Sequence, residues 1–305
     1  MASSVAALDC GSNSTRLLVT SAEGRTLARE MRITRLSAGV DASGNLRPDA
    51  LERSYDALRH YRAVMDEHGV ERGLLVATSA VRDAANGHEF LSRAERITRV
   101  PVRLISGEQE AAFSYAGATR GLPEDPRATM ILDIGGGSTE LAVRREGVLL
   151  SHSMQLGCVR VTERALGSGV VTPAAAAATR SMIEDQLDEA FAAQPYFATV
   201  VGQVRLVGLA GTVSTLAQLD AGLDHYERDV VHHRRLSRDA VQRWRDSLGG
   251  LTPAERLAVP GMVRGREDVL VAGLYVLDAV MERFALEELL ASEDDILDGV
   301  AASLR

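Results

Sequence analysis

"LDCGSNSTRLLV" occupies residues 8–19 and "LDIGGGSTELAV" occupies residues 132–143. Superposed, Asp9 falls on Asp133, Gly11 on Gly135, Ser14 on Ser138, Thr15 on Thr139, Leu17 on Leu141 and Val19 on Val143, an offset of 124. Each copy ends an apolar run on Asp, bends through glycine and serine, and resumes an apolar run, which reads as strand–turn–strand. A single tight glycine turn is ordinary. Two matched copies this far apart point to a repeat of whole domains rather than a short-period solenoid.

The neighbouring pattern repeats as well. Residues 4–9, 15–20 and 25–35 read as three strands, followed by a helix at 48–68 with Leu51, Tyr55, Leu58, Tyr61 and Met65 at helical spacing behind Pro48. Strand 73–77, a helix near 86–98, strand 102–105 and a helix near 107–119 complete a β-β-β-α-β-α-β-α order. Residues 119–128 hold two prolines and mixed charge and read as a crossover. The pattern then restarts with strands 129–133, 139–145 and 148–154, a helix from about 158, and a helix at 173–193 capped by Thr172 with Pro173 in its first turn. Strand 204–209, a helix opening at Gly211, a helix capped by Ser237 and a capping box at Thr252–Glu255 follow. An apolar helix at 263–284, a strand at 286–291 and a helix from about 294 end the chain. These elements predict an α/β protein of two domains, residues 1–122 and 123–305, with the helix near 294–305 able to pack back on the first. Two related domains would enclose a cleft lined by both turns.

Composition narrows the chemistry. All 34 cationic side chains are arginine, so a P-loop lysine and Schiff-base catalysis are both excluded. The formal charge of −8 argues against coating nucleic acid. No apolar run is long enough to span a bilayer, and the start of the chain lacks the layout of a signal peptide. Two cysteines, Cys10 and Cys158, make no disulfide framework, and a cytoplasmic location is expected.

The turns themselves suggest phosphate. Glycine lets main-chain amides converge on an anion, and Ser12, Ser14, Ser138 and Thr139 add hydroxyl donors. The acids ahead of the bends, Asp9 and Asp133, suit Mg²⁺ carrying its own waters. A third glycine element, Gly208-Leu-Ala-Gly211-Thr212, sits between a strand and a helix, where a phosphate or nucleotide can rest on the helix N-terminus. An ordinary strand-to-helix turn is the plain alternative.

The segments "DCGSNSTRL" (9–17), "ATSAVR" (77–82), "SGEQEA" (106–111), "DIGGGSTEL" (133–141), "LGCVRVTE" (156–163) and "GLAGT" (208–212) resemble the exopolyphosphatase/guanosine pentaphosphate phosphohydrolase family. That family lies in the superfamily of actin, the sugar kinases and the heat-shock chaperones. The resemblance implies two ribonuclease-H-like, actin-like α/β domains with mixed sheets flanked by helices. It implies removal of the terminal phosphate from inorganic polyphosphate, or of the 5′ phosphate from pppGpp, with water and Mg²⁺, Mn²⁺ being an alternative. It also implies a homodimer, and neither nucleic acid nor membrane as partner.

By the same resemblance, Glu110 is the base that activates water, Arg82 grips substrate phosphate, and Asp133 and Glu140, with Asp9, form the acidic metal site. Ser12, Asn13 and Ser14, and Gly135, Gly136, Gly137, Ser138 and Thr139, form the two phosphate loops. Gly211, Thr212 and Arg266 are further phosphate contacts, with Arg160 a candidate beside them. The physical chemistry agrees: phosphoryl transfer depends on positioning and charge stabilisation, and a carboxylate beside a polyanion titrates high enough to act as a base.

The chain also departs from the family's pattern. The family writes two adjacent glutamates where this chain has Glu108-Gln109-Glu110, and on a helix the two acids lie about 200° apart, so one alone faces the site. Cys10 replaces an aliphatic residue and is expected to act as a small hydrophobe. His232 and His233 are expected to point apart and hold no metal, and Arg228, Arg234, Arg235 and Arg238 to form a solvated face or an extended phosphate groove. Trp244 and Met262 read as core. The 263–284 helix, apolar all round, is either buried between layers or a dimer interface, the resemblance favouring the dimer. Two other functions fit the same scaffold: an ATP-dependent small-molecule kinase and a nucleotide-gated binding module.

Overall fold

A computed structural model describes residues 4–305. The chain forms two compact units, one running up to Gly117 and completed by Asp295–Arg305, the other Ala118–Asp294. Both are α/β, each a mixed sheet flanked by helices.

In the first unit the strands are β1 (Ser4–Cys10), β2 (Ser14–Thr20), β3 (Thr26–Ile33), β4 (Val70–Ala77) and β5 (Val102–Leu104), in sheet order β3-β2-β1-β4-β5. β1 to β3 form an antiparallel meander, and β4 and β5 extend it in parallel. β1 is central and buried on both faces, which is why its apolar run is nearly continuous. Helix Pro48–Glu67 buries Tyr55, Leu58, Tyr61 and Met65 along one stripe. Leu58 and Met65 leave water entirely, each worth about 2 kcal/mol. The Tyr61 hydroxyl donates to the Thr15 carbonyl at 2.8 Å.

Helix Ile296–Ser303 covers the other face of this sheet, packing Ile296, Leu297 and Val300 with Ala7, Leu18 and Val76. Helix Gly107–Ala118 crosses it with main chains touching: a Cβ on Gly117 would lie 1.9 Å from the Asp295 carbonyl, and one on Gly299 2.0 Å from that of Phe113.

The second unit repeats the plan with β6 (Ala128–Ile134), β7 (Thr139–Arg145), β8 (Val148–Met154), β9 (Val204–Leu209), β10 (Arg235–Ser237) and β11 (Glu288–Ala291). The order β10-β11-β9-β6-β7-β8 matches the first sheet strand for strand, with β10 added at one edge. The Thr172 cap, the Ser237 cap and the Thr252–Glu255 capping box all form as read.

The structure corrects several expectations. The helix expected at 263–284 covers only Leu270–Arg283, because Gly265 takes a left-handed φ of 88° and residues 263–269 close on themselves in turns. That helix is buried within its own unit, Leu270 through Asp278 without a break, so it offers no apolar face to a second copy. The helix expected from 158 is one turn, Cys158–Val161, passing into a wider turn at Thr162–Leu166 that Gly167 ends. The charged stretch at 235–237 is the edge strand β10, its pattern too short and too polar to read as one. Trp244 and Met262 pack at the margin of the core, not within it. Among the described residues no helix is long and apolar enough to cross a membrane.

Candidate active site

Both bends close on the same hydrogen bond. Gly11 N donates to the Ser14 carbonyl at 3.0 Å, and Gly135 N donates to the Ser138 carbonyl at 3.0 Å. In each bend the carbonyls are drawn to one side. Ser37 N takes the Ser12 carbonyl (2.9 Å), and Thr34 N and Arg35 N take that of Asn13 (3.0 and 2.9 Å). In the second bend Cys158 N takes the Gly135 carbonyl (2.9 Å), Val159 N and Arg160 N take that of Gly136 (2.9 and 3.2 Å), and Arg160 Nε takes that of Gly137 (2.7 Å). A trans peptide turns its N–H away from its C=O. Among the described residues, the amides that follow those carbonyls at Asn13, Gly136, Gly137 and Ser138, and that of Ser12 beside them, have no backbone acceptor, the arrangement of an anion nest. Gly157 makes the second nest's support possible, since a Cβ there would sit 2.2 Å from the Gly136 carbonyl carbon.

Side chains around the bends divide between structure and site. Ser12 shares a hydrogen bond with Ser79 (Oγ–Oγ 3.0 Å), and Asn13 Nδ2 is buried with no hydrogen-bond partner among the described residues. Ser14 begins β2 at the half-exposed mouth of its bend, and Ser138 is buried in the other. Thr139, expected among the phosphate donors, spends its hydroxyl proton on the Leu156 carbonyl and so fastens the bend instead. Cys10 is wholly buried in the core, as expected of a small hydrophobe.

The acids differ between the units. Asp9 lies directly opposite Arg16 across β1 and β2, and its Oδ2 accepts from Arg16 Nη2 (2.7 Å) and Nε (3.0 Å). Arg16 Nη1 also donates to Asp295, which caps helix Ile296–Ser303, while Arg29 holds Asp298 through Nη2 at 2.6 Å. Burial raises the Asp9 carboxyl above its usual range against the opposing pull of Arg16. Burial presses the Asp295 carboxyl upward too, but Arg16, Arg29 and the Leu297 amide hold it below its usual range.

In the second unit Asp133 lies directly opposite Glu140 across β6 and β7. Directly paired residues share a sheet face, so two buried carboxylates, 8% and 1% exposed, stand side by side. Ser153 Oγ donates to Glu140 Oε1 at 2.7 Å. Oxygen donors paired in this way fit a hard divalent ion such as Mg²⁺. Asp9 fits less well, because a guanidinium already occupies Oδ2, although its buried Oδ1 has no hydrogen-bond partner among the described residues. Among the described residues no three His, Cys, Asp or Glu side chains converge on one point.

Glu110 sits in the first turn of helix Gly107–Ala118, its side chain 12% exposed, with Arg82 Nη1 3.8 Å from its Oε2. Arg82, on the short helix Ser79–Arg82, is fixed by donating Nη1 to the Ile105 carbonyl at 2.8 Å. Glu108 is exposed and turned back to accept from Ser106 Oγ at 2.7 Å.

In the third glycine element, Ala210 takes a left-handed φ of 63° at the start of helix Ala210–Asp220, and the Arg266 guanidinium lies flat against the next residue. A Cβ on Gly211 would be 1.6 Å from Arg266 Nη1. Thr212 is buried and hydrogen-bonded with the Cys158 thiol, which burial pushes up to about 11 against the opposing charge of Arg266. Arg266 therefore stands beside both the 208–212 element and the helix turn that supports the second bend.

The remaining candidates resolve structurally. His232 and His233 stack, with ring centroids 3.7 Å apart, rather than pointing apart, because His233 adopts a left-handed φ of 63°. Each arginine expected on a solvated face has a carboxylate: Arg228 pairs with Asp294, Arg234 with Asp220, Arg235 with Glu288 and Arg238 with Asp278. Sequence reasoning missed Arg16, Ser79, Asp295 and Arg256. Arg16 was within reach, since in the superposed hairpins it falls on Glu140.

The Ppx/GppA phosphatase family model matches residues 18–304. The chain is 35% identical to exopolyphosphatase 2 of Mycobacterium tuberculosis, over 98% of each chain. A crystal structure of an exopolyphosphatase-like protein superposes with a TM-score of 0.92 at 33% identity, covering 98% of each chain. The Aquifex aeolicus member of the Ppx/GppA family superposes at 0.80 with 28% identity, covering 99% of this chain and 97% of that one. Nests, paired acids and overall likeness agree, and the chain belongs to the Ppx/GppA phosphatase family.

Proposed function

We propose that this protein is an exopolyphosphatase that releases orthophosphate from the end of inorganic polyphosphate, with pppGpp as a second substrate. The observation that carries the proposal is the matched pair of bends, in which the same closing hydrogen bond and the same one-sided use of carbonyls leave main-chain amides for phosphate oxygens.

In this reading Glu110 takes a proton from water, the water oxygen bonds to the terminal phosphorus, and the bridging P–O bond breaks, leaving its electron pair on the shortened chain. Arg82 orients the base and offers positive charge at the same spot. Asp133 and Glu140 would hold Mg²⁺ or Mn²⁺, which when bound offsets charge on the bridging oxygens. Arg266 and Arg160 supply fixed positive charge beside the second nest.

The test is phosphate release from polyphosphate, pppGpp and ATP, with and without Mg²⁺. Metal-dependent release of orthophosphate from polyphosphate supports the proposal. ADP formation coupled to phosphorylation of an acceptor would instead make the protein a kinase.

A further inference from the structure

Arg256 lies on helix Pro253–Leu257, 1% exposed, and its N–H groups go to main-chain carbonyls rather than to a carboxylate. Nε donates to Leu248 (2.8 Å), Nη1 to Ser168 (2.9 Å) and Glu267 (3.2 Å), and Nη2 to Gly169 (2.7 Å). Burial of a guanidinium is costly even with the charge of Asp268 acting on it. Plain core packing would be served better by an apolar side chain of the same volume. What the guanidinium provides is geometry, because its planar fork fixes several acceptors at once.

Those acceptors come from three segments: the end of helix Arg238–Gly249, the loop behind Gly167, and the turn at 263–269. The last bond matters most for the site, since Glu267 directly follows Arg266. Within the turn carrying Arg266, Arg266 N donates to Val263 O (3.0 Å), Val269 N and Leu270 N donate to Arg266 O (3.1 and 2.9 Å), and Gly265 N donates to the Glu267 carboxylate. The Arg266 guanidinium in turn occupies the space a Cβ on Gly211 would need.

We propose that Arg256 is a positioning residue: by clamping the Glu267 carbonyl to the 168–169 loop and to Leu248, it sets the Arg266 guanidinium against Gly211, ready for a substrate phosphate. The assignment rests on the phosphate-handling reading of this site. Arg256 itself touches no substrate.

A double-mutant cycle of Arg256→Lys and Arg266→Met tests it. Each protein is read by kcat/KM on polyphosphate, by calorimetric affinity for tripolyphosphate with metal withheld, and by melting temperature. A lysine keeps the charge but cannot span carbonyls from three segments. Arg256→Lys is expected to lower kcat/KM by about 10²-fold, the scale of a misplacement near 1 Å. In the Arg266→Met background the same change should cost no further kcat/KM and no further affinity, while its loss of melting temperature recurs in both backgrounds.

Equal losses of kcat/KM in both backgrounds would overturn the assignment, as would an Arg256→Lys protein with normal kcat/KM and affinity. An Arg266→Met protein that binds and turns over normally would overturn it too, with the hydrolase reading left intact. Absence of hydrolysis by the unmodified protein would refute that reading alone, since the tripolyphosphate arm of the cycle still decides the role of Arg256.

Discussion

Arg16 and Glu140 stand at the same place in their two sheets: Arg16 directly opposite Asp9 in the β1–β2 pairing, Glu140 directly opposite Asp133 in the β6–β7 pairing. The duplicated hairpin thus carries opposite charges at one position. In the first unit the Asp is neutralised by a guanidinium that also holds the cap of a helix. In the second it faces another carboxylate. On the proposed metal reading, two facing carboxylates suit a divalent ion better than a carboxylate already held by a guanidinium, so Glu140→Gln should raise the Mg²⁺ concentration needed for half-maximal activity. An unchanged metal requirement in that variant would remove Glu140 from the metal site.

Arg16→Met leaves Asp9 and Asp295 buried without their shared cation, which should lower the unfolding free energy at neutral pH by about 3–5 kcal/mol. In the unmodified chain the folded pKa of Asp295 is depressed, so its stabilising contribution is present above the ordinary carboxylate range and is lost as pH falls through the folded value. The variant loses the lowering influence of Arg16 at both carboxyls while Arg29 and the Leu297 amide still act on Asp295, so its folded state binds more protons than that of the unmodified chain and its stability should fall less steeply as pH drops. Denaturant melts across pH check both slopes.

Glu110→Gln preserves shape and hydrogen bonding but not the proton acceptor. Turnover of polyphosphate should drop by about 10² or more, with binding retained. Single-turnover and equilibrium-binding measurements separate the two, and near-normal turnover would take the base role away from Glu110.

Gly211→Ala places a methyl where the Arg266 guanidinium lies. The guanidinium can swing aside, so stability should fall modestly, by about 1–3 kcal/mol, while affinity for polyphosphate falls more steeply than for an Arg266→Lys variant. Calorimetry and thermal melts on the same samples report both.

Cys158 is buried and its thiol is pushed up to about 11, so at neutral pH it is a thiol and not a thiolate. The native protein should resist alkylation there until it unfolds, and labelling by iodoacetamide with peptide mapping reads this directly. Rapid modification of the folded chain would mean that the 158–161 turn opens.

Much of the fold was legible because its signals are local. A central strand buried on both faces is continuously apolar, as in residues 4–10, and Thr172-Pro173 and the Thr252–Glu255 box announce helix starts through one turn of backbone. The repeated Asp-bend-strand sentence was enough to locate the two nests and the acids heading them. The 263–269 turn was not legible, because its apolar spacing is compatible with a helix and the bonds that shape it, among them that of Arg256 to the Glu267 carbonyl, come from the folded chain. The stacking of His232 on His233 was hidden for a related reason, since a left-handed residue other than glycine leaves no mark in composition.

The sequence alone determined the duplication, most of the succession of strands and helices along each half and the residue types offered to phosphate and metal, since these follow from periodicity and from functional groups. Tertiary structure decided which partner each charge meets. Arg16 is shared by Asp9 and Asp295, the Thr139 hydroxyl goes to a carbonyl, the 228–238 arginines go to carboxylates, and Glu140 stands directly opposite Asp133. The physical reason is that the reactivity of a charge depends on its distance to every other charge and on its burial, and both are properties of the folded chain.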